Sequence, residues 1–277
     1  MKQLQIAYSS CPNDTFAFDA WVHGKIASKR RPEPIVADIQ QLNAWAYEGR
    51  YPVIKVSTFC LGKITDKYQM LPSGAAIGNE GPVLISKTPF TIEELKNKRV
   101  LVPGLDTTAY LLFSCLCPEP LEIGIVPFDQ MLDKLNADEA DAALIIHETR
   151  FAFEKAGFHQ ILDLGKCFTK TFGTLLPLGV VVAKKEVYDE AAKALKASIQ
   201  FAFDNPTSSK DYVLYNSQEK DPDIIAKHIE AYVTQETLQI SSNGQKAIHS
   251  LFSLAIEKGL LTKKSLHFDE TGLLCHI

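Results

Sequence analysis

The sequence has no excess of basic residues, no long apolar run and no secretory signal pattern. It contains 29 lysines and arginines against 33 aspartates and glutamates, which gives a net charge of −4. A nucleic-acid-binding domain usually presents a basic face instead. No apolar segment approaches the ~18 residues that a membrane-spanning helix needs, and the start of the chain alternates polar and apolar residues without an apolar signal core. We therefore expect a cytoplasmic protein that binds neither nucleic acid nor membrane.

The sequence also lacks the patterns of common cofactor and metal sites. There is no GxSxG, GxGxxG, Walker or HExxH motif. The six cysteines include one CxC pair, Cys115 and Cys117, but no second pair or histidine tract lies nearby to complete a zinc site. In a chain of this length without a signal, reduced thiols are expected. We therefore expect no metal and no organic cofactor.

Apolar residues make up 46% of the 277 residues, enough for one large core or two moderate ones. Segments with strand and helix periodicity alternate, which favours a parallel α/β architecture. The expected strands cover residues 4–8, 53–57, 82–86, 100–102, 121–126, 142–146 and 180–183. The expected helices cover residues 16–23, 38–47, 107–115, 128–137, 190–203, 222–236 and 244–257.

Residues 88–180 have their own strand–helix–strand order, which indicates a smaller lobe inserted into a larger one. The larger lobe is then built from both ends of the chain, residues 1–87 plus 181–277, and two crossings join the lobes. Clefts between lobes are common binding sites for small molecules. We therefore expect a ligand cleft between the two lobes.

Polar residues follow the ends of several expected strands, where ligands bind in open parallel sheets. The candidates are Ser9, Asn13, Lys55, Ser57, Thr107, Thr108, His147 and Arg150. Thr107 and Thr108 begin a helix, whose first amides favour an anion, although either threonine also fits a simple helix cap. Asp14 would repel an anion, so we expect it to face backbone amides.

The stretch from residue 141 to 150 carries the strongest chemical signal. A buried apolar strand ends at His147, and an imidazole titrates near neutrality, as proton transfer requires. Adjacent residues of a strand cannot both face a cleft. Glu148 or Arg150 could orient the histidine or bind a carboxylate of the ligand. The same pattern also fits a structural histidine. Cys11, near a helix start, fits either a reactive thiol or a small buried side chain.

Several segments taken together resemble the 1,4-dihydroxy-6-naphthoate synthase family of the futalosine route to menaquinone. They are residues 9–16, 22–24, 107–110, 144–150, 163–165 and 177–179. The resemblance implies a two-lobed fold like that of periplasmic binding proteins, with cyclic dehypoxanthine futalosine as substrate and carbon–carbon bond cleavage. It implies His147 as general base, with substrate contacts from Lys55, Val56, Ser57, Thr107 and Thr108.

The sequence departs from that family at two places: Ser10 stands where proline is usual, and residues 166–168 replace an aromatic pair. Neither departure touches His147. Two other functions fit the same fold: a solute-binding or ligand-sensing protein for a small carboxylate, and a related lyase acting on a different carboxylate.

Overall fold

The computed structural model describes residues 4–263 and residue 266. The final part of the expected larger lobe and Cys275 lie outside the described residues. Eleven strands can be numbered along this part of the chain: β1 (Gln5–Tyr8), β2 (Glu33–Val36), β3 (Val53–Ser57), β4 (Gln69–Met70), β5 (Ala76–Gly78), β6 (Val83–Ser86), β7 (Arg99–Val102), β8 (Glu122–Ile125), β9 (Ala142–Ile145), β10 (His159–Asp163) and β11 (Leu176–Ala183).

The α-helices of the same residues alternate with these strands and then fill the last third of the chain. They are α1 (Pro12–Val22), α2 (Ile39–Tyr47), α3 (Thr58–Leu61), α4 (Thr108–Leu116), α5 (Met131–Asn136), α6 (Leu164–Phe172), α7 (Tyr188–Asp204), α8 (Lys210–Asn216), α9 (Pro222–Tyr232), α10 (Gln235–Leu238) and α11 (Ser242–Glu257). Short 3-10 helices cover Ile92–Asn97, Phe128–Gln130, His147–Phe151 and Lys185–Val187. The α/β class is therefore as expected.

The strands form two sheets. The first has the order β2-β1-β3-β11-β4, with β5 also pairing β11, and the second has the order β10-β6-β9-β7-β8. Strands β1, β2 and β3 are parallel to one another, as are β7, β8 and β9. The parallel architecture expected from the sequence is found in only part of each sheet, because β11 runs antiparallel to β3, β6 to β9 and β10 to β6. The periodicity of apolar residues indicates which side chains are buried, but it does not indicate the direction in which a strand runs.

The division of the chain between the sheets also differs from the expected boundaries at residues 87 and 180. Strand β6 belongs to the second sheet although it lies within the expected first lobe, and β11 joins the first sheet from residue 176 onward. The crossings therefore fall between β5 and β6 and between α6 and β11. A short apolar strand does not reveal which sheet it will join, so the sequence placed both crossings a few residues late.

Apolar side chains cover both faces of the first sheet. Along β11, Val181 packs on the side of α1 and α7, while Val180 and Val182 pack on the side of α2 and α11. This second cluster continues into the second sheet, where it includes Leu84 and Leu144. The two sheets therefore share one continuous core behind the edge at which the parallel strands end.

Gly81, just before β6, and Gly165, at the start of α6, bring the backbones of these two segments close together. A Cβ at Gly165 would lie 2.5 Å from the amide nitrogen of Gly81. Since only backbone can yield there, Gly165→Ala should lower the free energy of unfolding by about 1–3 kcal/mol, measured by urea titration. The matched variant Gly124→Ala, whose Cβ meets only the end of the Leu101 side chain, should cost less. Equal losses in the two variants would contradict this account.

Candidate active site

A cleft lies where the carboxyl ends of β1 and β3 face those of β7 and β9. It holds about 620 Å³ of space, part of it open to solvent. The residues that line it come from both sheets and from α9: Ser9, Cys11, Asn13, Asp14, Ile39, Lys55, Ser57, Ala76, Gly81, Pro82, Thr107, Thr108, Ala109, Ile146, His147, Leu178, Gly179, His228 and Tyr232. Seven of the expected site residues are in this set: Ser9, Asn13, Lys55, Ser57, Thr107, Thr108 and His147.

Asp14 organises the wall formed by the first sheet. Its carboxylate accepts hydrogen bonds from Ser9 Oγ at 2.6 Å and from Asn13 Nδ2 at 2.9 Å. It also pairs with Lys55 Nζ at 2.6 Å, and both side chains of this ion pair are buried. Asp14 is thus held mainly by side chains, although the Ser9 amide also donates to it at 3.4 Å. The pair with Lys55 offsets the negative charge that would otherwise repel an anionic ligand.

Lys55 and Ser57 reach the cleft because they occupy alternate positions on β3. Lys55 Nζ donates to the carbonyl of Gly74 at 2.8 Å as well as pairing with Asp14, so one of its three hydrogens is left for a ligand. Ser57 Oγ accepts from Asn43 Nδ2 at 3.0 Å. Val56, expected among the substrate contacts, is fully buried in the core. Its side chain points to the opposite face of the sheet, because successive strand residues alternate.

Thr107 and Thr108 lie at the start of α4 and serve the fold as well as the cleft. Thr107 Oγ1 caps the helix by accepting from the amide of Tyr110 at 3.1 Å, and it donates to the carbonyl of Gly104 at 2.7 Å. Thr108 Oγ1 donates to the carbonyl of Leu178 at 2.9 Å. Each hydroxyl therefore donates its hydrogen to a backbone carbonyl of the protein. The donors left at this end of the cleft are the first backbone amides of α4, which have no partner within the helix.

His147 follows β9 directly and has a left-handed backbone, with φ of +59°. Its ring packs on Phe128 with centroids 4.2 Å apart, and Nδ1 lies 2.6 Å from Cys11 Sγ. Burial lowers the pKa of His147 to about 4, against the opposing effect of the negative Asp14. The imidazole is therefore neutral near pH 7 and able to accept a proton. Since Cys11 occupies Nδ1, Nε2 is the nitrogen left for a ligand.

Glu148 lies inside the protein beside His147 and, unlike His147, does not line the cleft. The strand ends at Ile145, and the left-handed His147 begins a 3-10 turn, so alternation no longer applies. Glu148 is only 3% exposed, and burial raises its pKa to about 7. Among residues 4–263, its Oε1 atom has no hydrogen-bond partner.

Sequence reasoning missed His228 and Tyr232, which α9 brings to the cleft. Asn13 Nδ2 donates to Asp14, so Asn13 Oδ1 must accept, and it lies 2.9 Å from His228 Nε2. His228 therefore carries its proton on Nε2. Burial, followed by charge interactions with His147 and Lys55, holds the pKa of His228 well below its ordinary value. No local pattern around residues 228 and 232 signals a site, because both are ordinary buried positions of an amphipathic helix.

Arg150, expected as a possible cleft residue, is not among the residues that line the cleft. Its guanidinium pairs with Glu80 and the carbonyl of Gly81, and with Asp163 at 3.0 Å. The Arg150 side chain is 7% exposed and that of Asp163 5%. These contacts tie the turn after β9 to the segment before β6 and to the end of β10. Arg150 is a structural residue rather than part of the cleft wall.

Cys11, His147 and Glu148 have the atom types that bind metals, and their candidate ligand atoms all lie within 4.8 Å of one another. Two ligands of one tetrahedral zinc, one sulfur and one nitrogen, would stand about 3.5 Å apart. At 2.6 Å, Cys11 Sγ and His147 Nδ1 are in direct contact and are closer together than two ligands of one zinc would be. The five described cysteines are free thiols, and burial raises the pKa of Cys11 well above its ordinary value, so that thiol keeps its proton.

Two mixed sheets with a cleft at their facing strand ends define a protein of the periplasmic-binding-protein-like fold. The alkanesulfonate-binding protein of Xanthomonas axonopodis shares it with a TM-score of 0.64, at 14% identity and with 95% of each chain covered. Protein AF1704 from Archaeoglobus fulgidus superposes more closely, with a TM-score of 0.88 and 30% identity over 94% of this chain and 98% of its own.

The chain belongs to the menaquinone biosynthesis family, whose model matches residues 4–257. It is similar to the 1,4-dihydroxy-6-naphthoate synthase of Thermus thermophilus, with 36% identity over 269 residues, which is 94% of this chain and 96% of the relative. Within residues 4–263, no helix is both long and apolar enough to cross a membrane. The protein is thus a biosynthetic enzyme built on a fold that many binding proteins share.

Proposed function

We propose that this enzyme converts cyclic dehypoxanthine futalosine to 1,4-dihydroxy-6-naphthoate. The observation that carries the proposal is the 36% identity to a synthase of that name, which extends over 94% of the chain. The likeness to solute-binding proteins is weaker support for a binding function, because at 14% identity it concerns the fold alone. We propose further that the two sheets act as two lobes around the substrate, and that the enzyme works in the cytoplasm.

The proposed general base is His147. Nε2 would take a proton from a carbon of the bound substrate, and the electron pair of that bond would drive cleavage of a neighbouring carbon–carbon bond. The departing, sugar-derived part would take the electron pair of the broken carbon–carbon bond and receive the proton back from the imidazolium, which restores the base. The remaining ring system becomes aromatic, which favours the products. A neutral imidazole partly enclosed by protein suits this role, because it is unprotonated at neutral pH and close to where the substrate lies.

The substrate carboxylate is proposed to bind to hydrogen-bond donors of the cleft wall. These donors are the first amides of α4, the hydroxyl of Ser57 and the remaining hydrogen of Lys55 Nζ, whose residues all line the cleft. Helix-terminal amides and a buried ammonium favour an anion. Thr107 and Thr108 would contribute through the position of their backbone rather than through their hydroxyl hydrogens, which are donated to the carbonyls of Gly104 and Leu178.

The direct test is incubation of the purified protein with cyclic dehypoxanthine futalosine, followed by chromatographic detection of 1,4-dihydroxy-6-naphthoate. We expect product to form without an added metal or organic cofactor, at a rate proportional to enzyme concentration. Calorimetry with the same compound provides the comparison. Tight binding without turnover by folded protein would favour the solute-binding function, and neither binding nor turnover would contradict both.

A further inference from the structure

Glu148 is a buried acidic group that the proposed reaction does not yet use. It is 3% exposed, it does not line the cleft, and in the described part of the chain its Oε1 accepts no hydrogen bond. Buried carboxyl oxygens nearly always have a partner, because an unpaired one is costly. We therefore expect a hydrogen-bond donor for Oε1 near Glu148, which directly follows His147.

Besides the backbone amides of Gln218 and of Glu148 itself, a further group close by with a hydrogen to donate is the thiol of Cys11. The reactive atoms of Cys11, His147 and Glu148 lie within 4.8 Å of one another. Cys11 Sγ is 2.6 Å from His147 Nδ1 but 4.0 Å from Nε2, so it contacts one particular ring nitrogen. Since the buried thiol keeps its proton, the contact between sulfur and nitrogen has two possible arrangements.

In the first arrangement the thiol donates to Nδ1. A neutral imidazole then carries its hydrogen on Nε2, which cannot accept a proton from the substrate. In the second, Nδ1 carries the hydrogen and donates to sulfur, which leaves the lone pair of Nε2 free. The thiol hydrogen must then point to another acceptor, and Oε1 of Glu148 is an acceptor that lacks a donor.

We propose that Cys11 and Glu148 are positioning residues that hold His147 in the tautomer with a free Nε2. The inference deepens the proposed function and rests on it. No hydrogen bond joins the Cys11 thiol to Oε1 in the described residues, but the two groups lie within 4.8 Å. A small approach of the two side chains lets the thiol donate to the Glu148 carboxylate while the sulfur accepts from Nδ1. When Nε2 takes the substrate proton, the electron pair of the broken bond stays on the substrate. The imidazolium then faces the negative charge of Glu148, much as an aspartate supports histidine in hydrolase triads.

Several charged groups surround this line and affect when Glu148 ionises. Glu219, before α9, raises its pKa, whereas Lys220 and the backbone amides of Gln218 and of Glu148 itself lower it, and burial outweighs them all. On the α1 side, Asp14 and Lys55 face Cys11 with opposite charges. On α9, His228 faces His147, and Tyr232 is affected by the charges of Glu148 and Cys11. The net result of burial and these neighbouring groups is that the pKa of Glu148 is raised to about 7.

The arrangement needs an ionised Glu148, so kcat should rise with pH through about 7 and stay high above it. In Glu148→Gln this rise should vanish, with kcat lower by roughly 10- to 100-fold, less than the loss of the base itself. KM should change little, because Glu148 does not line the cleft. Cys11→Ala should lower kcat to a similar extent, whereas Cys11→Ser, which keeps a donor and an acceptor, should retain most of the activity.

The control is Glu154→Gln, the same change at an exposed position of the same segment, which should keep the parent profile. A second readout does not depend on turnover: nitrogen NMR of ¹⁵N-histidine-labelled protein, with the His147 signals assigned by their loss in His147→Asn. We expect a protonated Nδ1 and a bare Nε2 in the parent, and a changed ratio in Glu148→Gln. A bare Nδ1 in the parent, or a Glu148→Gln profile identical to that of an active parent, would overturn the inference. An inactive parent whose Nδ1 is protonated would count against the proposed function only.

Discussion

Replacement of His147 by asparagine is expected to lower kcat by about two to four orders of magnitude, the usual range for a general acid or base. Asparagine suits the test because it tolerates the left-handed backbone found at this position, where φ is +59°. The variant should therefore fold normally while losing the nitrogen that accepts the proton. Steady-state kinetics with cyclic dehypoxanthine futalosine measure the loss, and circular dichroism checks the fold.

His159→Asn provides the matched control, because His159 is an exposed residue at the start of β10. It should leave kcat and KM unchanged. If His147→Asn retained activity within a few-fold of the parent, His147 would not be the base, and the structural interpretation of this histidine would be preferred.

Replacement of Arg150 by methionine is expected to lower the free energy of unfolding by about 3 kcal/mol, as the loss of one partner from a buried ion pair commonly does. The change leaves Asp163 buried without its main cationic partner, since the side chain of Asp163 is only 5% exposed. It also releases the carbonyl of Gly81 and the carboxylate of Glu80. Urea titration measures this effect.

The comparison is Arg99→Met, which removes an exposed pair with Asp141 and should cost at most about 1 kcal/mol. Kinetics of folded Arg150→Met separate the two roles considered for this residue. A structural Arg150 predicts that KM for the substrate stays near the parent value. A large rise in KM with unchanged stability would show that the guanidinium binds substrate after all.

The sequence predicted many of the residues that line the cleft, because they follow a simple rule of sheet geometry. Ser9, Ser57, Thr107 and His147 come at or just after the ends of parallel strands, and such ends gather at one edge. That rule depends on the local pattern of burial, which the sequence displays directly. The fold class and the cleft followed from the same pattern, although strand directions and the two crossing points did not.

What the sequence did not reveal depends on contacts between distant segments. His228 reaches the cleft from α9 and bonds to Asn13 at 2.9 Å, and nothing near either residue encodes that pairing. The burial of Glu148 was not foreseen, because the left-handed backbone of His147 ends the strand alternation there. Arg150 was assigned to the cleft because its charge suits a carboxylate, whereas two carboxylates of the protein itself already bind it.

The antiparallel return of β11 determines when the enzyme becomes competent during its synthesis. Its register pairs Gly179 with Ser57, so the whole second sheet is made before the first can be completed. Helix α9, which carries His228, follows later still. Contacts this distant along the chain form slowly, because a long loop must close first. A partly synthesised chain therefore has the residues of both sheet edges but no cleft, and the site is among the last parts of the molecule to be assembled.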